Sequence, residues 1–408
     1  MVLKQAKLNH RKVLSFIIIQ GIIIITSINA NAQSNGNTNS FAQNQYQIHG
    51  YVGGLDAGEK IYMSLIPTGQ EDDTASIDST VVENNEFTIK GKVTSGPRMF
   101  MLYFGAPSFT TKSIRLLVNS GDQMSFRIEN INKINHQHLD QIVSVEGSKS
   151  NQGRSILWHT VVNFDQMMLT IKDYFRIIQD SIGFDYSLVE GIIKTRDLIY
   201  QSLFRNVTQY PELNLKDAIP WFFYQTSNAM DHDVGLMQQY NSLDSIQKNS
   251  FYGKFLKEDA MLSIGQPFPE FTLTSSSGKS IALANLIEKS KLTIVHFWST
   301  TSKYHDRYRD ELLHFYNKYH SKGLNIVGVS FDTSANVWKN YVANYKLPWS
   351  NVSDLKGKEG IVDKTYHIFR NPYLPSTVNV LIDQSGKIVA WDASGVELQW
   401  YLKKAFEN

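Results

Sequence analysis

The sequence contains no cysteine in 408 residues. That absence excludes disulfide stabilisation, thiolate nucleophiles, sulfenate chemistry and cysteine-held metals together. Charge of one sign is lacking as well. Lys and Arg number 40 against 38 Asp and Glu, for a formal charge of +2. So near a balance, with no clustered basic stripe, gives no general attraction to nucleic acid or anionic lipid. The apolar run near the N-terminus is the one candidate for a membrane span. The run VLSFIIIQGIIIITSI is slightly short for one and carries Gln20 in its middle.

What that region does contain is a pattern. Lys4, Lys7, Arg11 and Lys12 precede the apolar run, and Ala30-Asn31-Ala32-Gln33 follows it. A positive flank, a short apolar core and a small-x-small site predict a secretory signal peptide over residues 1–32, cleaved after Ala32. The alternative is an uncleaved anchor. Residues 33–45, polar and Asn-rich, read as a flexible leader. Export to the periplasm or cell envelope then follows. Exported proteins commonly use disulfides; this one must rely on core packing, which a chain 42% hydrophobic and 19% charged can supply.

Three patterns succeed one another after the leader, predicting a multidomain protein. Residues 46–150 alternate with period two in eight short runs: YQIHGYV, KIYMSLI, TASIDSTVV, EFTIKGKV, RMFMLYFG, SIRLLVN, QMSFRIEN and IVSVEGS. Such spacing predicts an antiparallel, all-β sandwich-like domain or barrel. His136 and His138 form a lone His-x-His pair in a polar loop and read as surface histidines. Residues 151–261 shift to helical period. Leu157, Val161, Phe164, Met168, Ile171, Phe175 and Ile178 form one stripe, and Leu188, Ile192, Ile199 and Leu203 suggest a second helix. Trp158 and the Trp221-Phe222-Phe223-Tyr224 run read as core aromatics. This stretch is a helical connector. Residues 262–408 alternate strands with helices, an α/β layer pattern. KLTIVHFW is nearly continuous in apolar residues and should be a central strand covered on both faces.

Within 265–406 several stretches occur in the order of a known family. They are Gly265-Gln266-Pro267-Phe268-Pro269-Glu270-Phe271, Gly278 to Leu283, Phe297-Trp298, Lys322 to Ser330, and the LID-x-x-G-x-I hairpin from Leu381 to Val389. Together they resemble the thioredoxin-like superfamily, closest to the TlpA-like disulfide reductases and the alkyl hydroperoxide reductase/thiol-specific antioxidant group. Residues 46–148 resemble the uncharacterised β-rich domain that often precedes such modules in exported bacterial proteins. The resemblance implies a thioredoxin-like fold and a W-C-x-x-C motif at the start of the first long helix. Laying FWSTTSKYH over that motif places Thr301 at the second Trp, Ser302 at the first Cys and His305 at the second. It also implies a cis-proline facing the dithiol. Counting back from Leu381 without gaps places Thr377 there, while Pro375 serves only if the loop is longer.

A helix N-terminus favours a thiolate, and the second thiol resolves the mixed disulfide. Neither a hydroxyl nor an imidazole can do this. Ser302 is first an N-cap candidate. The sharper alternative is a Ser302 nucleophile with His305 as base, oriented by Asp306 or Asp310. Peroxidase chemistry fails for want of sulfur. His305, His314 and His320 have poor metal-ligand spacing and read as solvated helix histidines, so no metal or cofactor is expected. Lys303, Arg307 and Arg309 place positive charge near the helix start, either solvated or set to dock an anion. The expected function is therefore binding: a redox-inactive scaffold that recognises a protein or peptide partner in the envelope, with the β domain as a second contact surface. A Ser302/His305 enzyme and a purely structural module are the alternatives.

Overall fold

The computed structural model describes residues 44–66, 77–140, 142–181, 185–208, 215–229, 235–302, 305–369 and 377–407. The signal-peptide run, most of the leader, Lys303 and Pro375 lie outside the described residues. The chain divides into two compact units. One comprises Met1–Met167, Gln201–Thr226 and Gln239–Lys257, the other Met168–Tyr200, Ser227–Gln238 and Glu258–Asn408. The helical stretch contributes to both.

All eight alternating runs of the first unit contain strands: β1 (Gln45–Val52), β2 (Lys60–Leu65), β3 (Ile77–Val81), β4 (Glu86–Lys92), β5 (Arg98–Phe104), β6 (Ser113–Val118), β7 (Gln123–Ile128) and β8 (Val145–Glu146). In β1 every second residue, from Tyr46 to Val52, is buried, as period two requires. The strands form two four-stranded sheets, in the orders β4-β1-β7-β8 and β3-β2-β5-β6. One core serves both sheets: Ile48, Phe87 and Phe126 come from the first, Ile61, Leu102 and Ile114 from the second. Gly50 lies beneath Phe87 and Phe126, where a Cβ would collide with both rings. The expectation of purely antiparallel pairing is corrected at one place. β1 and β7 run parallel, in register from Gln47↔Gln123 to Val52↔Ile128. The chain reaches β7 only after building β5 and β6 of the other sheet, and such a crossover allows a strand to return in the same direction.

The helices that follow are α1 (Lys149–Ser181), α2 (Tyr186–Thr208), α3 (Ile219–Ala229), α4 (Leu236–Ser242), α5 (Ser245–Asn249) and α6 (Phe251–Met261). Of the expected α1 stripe, Leu157, Val161, Met168, Ile171 and Phe175 are buried; the side chains of Phe164 and Ile178 are outside the described residues. Trp221, Phe222, Phe223 and Tyr224 are buried in α3. Trp158 is half-buried and stacks on Trp221 with centroids 6.4 Å apart.

The start of α1 is pinned to the β domain by a buried ion cluster. Asp140 Oδ2 faces Arg115 Nη2 at 3.0 Å and Arg154 Nη1 at 3.6 Å. Asn151 Oδ1 accepts from Leu117 N at 3.1 Å and from Arg154 Nε at 3.2 Å. Burial pulls Arg154 down to about 10, against the opposing pull of Asp140. Removing one partner from such a cluster leaves buried charge uncompensated, at a cost of about 3–5 kcal/mol. Asp140→Ala is therefore expected to lower the urea midpoint by that equivalent, and an unchanged midpoint would show that the cluster is energetically idle.

The second unit continues with β9 (Thr272–Ser275), β10 (Ser280–Ala282), α7 (Leu283–Ile287), β11 (Leu292–Trp298), α8 (His305–Tyr319), β12 (Leu324–Ser330), α9 (Ala335–Asn344), β13 (Ser350–Ser353), α10 (Ile361–Tyr366), β14 (Val378–Asp383), β15 (Ile388–Trp391) and α11 (Gly395–Phe406). Its seven-stranded mixed sheet has the order β10-β9-β13-β12-β11-β14-β15. KLTIVHFW is indeed central: every residue of β11 is buried, with β12 parallel on one side and β14 antiparallel on the other. Ile294 packs with Leu312, Phe315 and Tyr319 of α8 and with Leu398 and Leu402 of α11. Val295 and Phe297 point the other way, toward Phe268 and Tyr366. Helix α2 joins α11 through Arg196 Nη1 and Glu397 Oε1 at 2.7 Å and through Tyr186 stacked on Trp400. Strand β13 was not expected, because SNVS carries one apolar residue and owes its strand form to its neighbours in the sheet.

Candidate functional site

The loop Ser299–Ser302 leaves the buried end of β11 and leads to α8. A single carboxylate just beyond β12 organises it. Asp332, 6% exposed, accepts on Oδ1 from Thr300 Oγ1 at 2.7 Å, Thr300 N at 3.1 Å and Ser299 Oγ at 3.2 Å. Its Oδ2 accepts from Ser330 Oγ at 2.8 Å. Ser299 and Thr301 hydroxyls lie 2.8 Å apart. Hydrogen bonds to a charged acceptor are the strong ones, so this small polar loop is held firmly. Sequence reasoning missed Asp332. The signal was an acid in Ser330-Phe331-Asp332, immediately after a strand buried along most of its length.

Thr377 and Ser302, paired by the alignment, do meet in space. The β11–β14 register ends at Phe297↔Val378, so the residue before Val378 falls beside the β11 end. Thr377 is fully buried, and its Oγ1 donates to Ser302 Oγ at 2.8 Å. The Ser302 carbonyl accepts from His305 N at 3.2 Å. The capping expectation for Ser302 depends partly on residues 303 and 304, which are outside the described residues. No cis peptide bond occurs among the described residues.

His305 is a correction. It is not a solvated helix histidine but is 3% exposed, its ring flat against Trp298 with centroids 4.3 Å apart and a 10° tilt, and 4.7 Å from Tyr341. His314 and His320 are exposed. Among the described residues neither ring nitrogen of His305 has a hydrogen-bond partner, so Ser302 and His305 do not form a nucleophile–base pair. The acids proposed to orient it are engaged elsewhere. Asp306 Oδ1 accepts from Arg309 Nη1 at 2.5 Å and Tyr341 OH at 2.9 Å, and Asp310 Oδ1 accepts from Arg309 Nε at 2.9 Å. Arg309 is thus neutralised and 8% exposed, with its guanidinium 3.8 Å above the Tyr345 ring. It is not a solvated cation awaiting an anion.

A second buried imidazole, His296 in β11, was not singled out from the sequence, although a histidine in the middle of a central apolar strand is itself a signal. Its Nδ1 lies 2.8 Å from Asn379 Oδ1. The Asn379 amide nitrogen donates to the Ala393 carbonyl at 3.0 Å. The facing oxygen can only accept, so Nδ1 carries the proton. The rings of His296 and His305 are 6.0 Å apart. Burial pushes His296 down to about 3, against the hydrogen bond to Asn379, and His305 down to about 4, against the pull of Asp306. Among the described residues no group of three or more His, Asp or Glu side chains is placed to hold a metal ion.

Residues 264–391 match the AhpC/TSA family, and residues 46–153 match DUF4369, a domain of unknown function. Thiol-disulfide oxidoreductase ResA of Bacillus thuringiensis subsp. konkukian is 31% identical over 157 residues, covering 38% of this chain and 84% of that protein. The chain belongs to the AhpC/TSA family. ResA of Bacillus anthracis is 30% identical over 158 residues, 38% of this chain and 86% of its own length. Among solved structures, the thioredoxin domain of a thiol-disulfide oxidoreductase from Bacteroides vulgatus is 29% identical, with 35% of this chain and 98% of that one covered and a TM-score of 0.32. A thiol-disulfide oxidoreductase from Bacteroides fragilis is 25% identical, with 34% and 98% covered and a TM-score of 0.31. The C-terminal domain is therefore an AhpC/TSA domain like those of thiol-disulfide oxidoreductases, in a chain without cysteine.

The two imidazoles make stability depend on pH. Their folded values lie below the ordinary 6.5, so the unfolded chain binds more protons in the interval between. Their contribution is complete above about pH 6.5 and is lost as pH falls toward 4 and 3, by about 2 kcal/mol per imidazole between pH 7 and pH 4.5. His305→Phe keeps the stacking and is expected to remove about half of the histidine-derived loss, measured as the difference in urea midpoints. A variant with the same acid loss as the parent would place the proton uptake elsewhere.

Proposed function

We propose that this chain is an exported binding protein of the cell envelope whose thioredoxin-like domain carries out no dithiol chemistry. One observation carries the reading. At the two motif positions of the family stand a hydroxyl bonded to Thr377 and an imidazole sealed against Trp298. Thiol–disulfide exchange forms and breaks S–S bonds by thiolate attack, and this chain supplies no sulfur that can attack. What remains at the end of β11 is a firm polar ledge of Thr300, Thr301 and Ser302, the residues of the loop open to solvent. Hydroxyls of this kind can donate to and accept from the backbone of an extended segment. The N-terminal charge and apolar pattern supports delivery to the envelope. No helix among the described residues is long and apolar enough to cross a membrane.

Two measurements test the proposal. The full chain is expected to leave the rate of insulin reduction by dithiothreitol at its background, and catalysed turnover would overturn the reading. The double variant Ser302→Cys, His305→Cys restores the motif and is expected to accelerate that reaction measurably. For the binding half, a fluorescein-labelled, alkylated insulin B chain serves as an extended segment without free thiols. It is expected to bind the parent and to lose about tenfold in affinity with Thr301→Arg, an exposed position on the ledge; equal binding by both would sink the ledge as the contact.

A further inference from the structure

Three buried polar atoms converge inside the sheet of the second unit, at a place where β12 carries no side chain. Gly328 lies between His296 of β11 and Asn351 of β13 in the strand register. A Cβ on it would collide with Asn351 Oδ1 and stand 3.1 Å from Trp298 Nε1 and 3.3 Å from Trp349 Nε1. Trp298 is fully buried, Asn351 is 2% exposed and Trp349 6%. Among the described residues none of the three atoms has a hydrogen-bond partner. Buried polar groups are almost always paired, so three orphans around one point call for a common partner.

The chemistry of that partner follows from the atoms. Each indole nitrogen can only donate. The amide of Asn351 is oriented by its own bond, Nδ2 donating to the Trp349 carbonyl at 2.8 Å. That leaves Oδ1, which can only accept, facing Gly328. A halide or other bare anion would suit the two indoles but meet the lone pairs of Oδ1. A metal cation would suit Oδ1 but meet two N–H groups. What fits is a molecule that accepts twice and donates at least once, and burial of all three side chains limits it to the smallest. Water meets those terms, and buried waters typically make about three such bonds.

We propose that a single resident water occupies this site, accepting from Trp298 Nε1 and Trp349 Nε1 and donating to Asn351 Oδ1. It links Trp298 of β11 to Asn351 of β13 across β12. It also fixes the indole against which His305 stacks at 4.3 Å, so Gly328 bears on the candidate site from inside the sheet. The water is internal to the domain and does not depend on whether the hydroxyl ledge binds a segment.

High-resolution crystals of the full chain are expected to show one ordered water about 2.7–3.2 Å from Trp298 Nε1, Trp349 Nε1 and Asn351 Oδ1. An empty site, a bound ion, or an indole bonded directly to Asn351 Oδ1 would overturn the proposal. A solution measurement checks it away from any lattice. In protein carrying isotope-labelled tryptophan, the Nε1–H resonances of Trp298 and Trp349 are each expected to show magnetic cross-relaxation with a long-lived water. Asn351→Leu replaces the acceptor with an apolar group and is expected to abolish both signals while the other tryptophan resonances stay in place. Signals missing in the parent, or unchanged in Asn351→Leu, would give the indoles other partners and sink the water.

Discussion

The pairing of β11 with β14 is the constraint from which the site follows. β11 is buried on both faces, so its position is set by two layers of core, Ile294 toward α8 and α11, Val295 and Phe297 toward Phe268 and Tyr366. A one-residue slip would turn each of these side chains to the opposite layer. Because the register cannot slip, the residue before Val378 must arrive beside the loop that follows Trp298. Thr377 and Ser302 therefore face each other whatever their chemistry. The fold delivers the juxtaposition, and the side chains decide what it can do.

What they do is different in kind from thiol chemistry. Asp332 gathers the hydroxyls and amide of Ser299 and Thr300, so the loop is held by hydrogen bonds to a fixed acceptor. His305 has turned inward and exchanged hydrogen bonding for stacking. Leaving two ring nitrogens unpartnered costs about 1–3 kcal/mol per group, whereas aromatic pairs return about 0.5–1.5 kcal/mol each beyond their buried area. Stacking on Trp298 and Tyr341 offsets only part of that cost, and the burial of the ring's apolar area offsets more of it. A hydrogen-bonded base could not have been sealed this way and remained reactive.

Much of the architecture was legible because each element carries its own period. Eight alternating runs became strands, the α1 stripe is buried, and the run from Lys291 to Trp298 announced a central strand by having almost no polar face. What escaped reading depended on neighbours. SNVS is a strand only because β12 and β9 flank it, and the parallel β1–β7 pair is set by the path through the other sheet. The site was legible in position but not in chemistry. Alignment placed Ser302 opposite Thr377. Nothing local revealed that His305 would be buried, that Arg309 would be consumed by Asp306 and Asp310, or that Asp332 would hold the loop. Those facts belong to side chains converging from separate elements.

Replacing sulfur with imidazole also changes what the site couples to. A dithiol at a helix start links the fold to electrons, because oxidised and reduced forms differ in stability. Here two buried imidazoles, His296 and His305, stand near that position, and each exchanges a proton rather than an electron. Both are held neutral by burial at physiological pH, and protonating either one places a charge among Trp298, Tyr308 and Tyr341. The chain can register acidity through these rings but has no cysteine with which to register a thiol–disulfide potential.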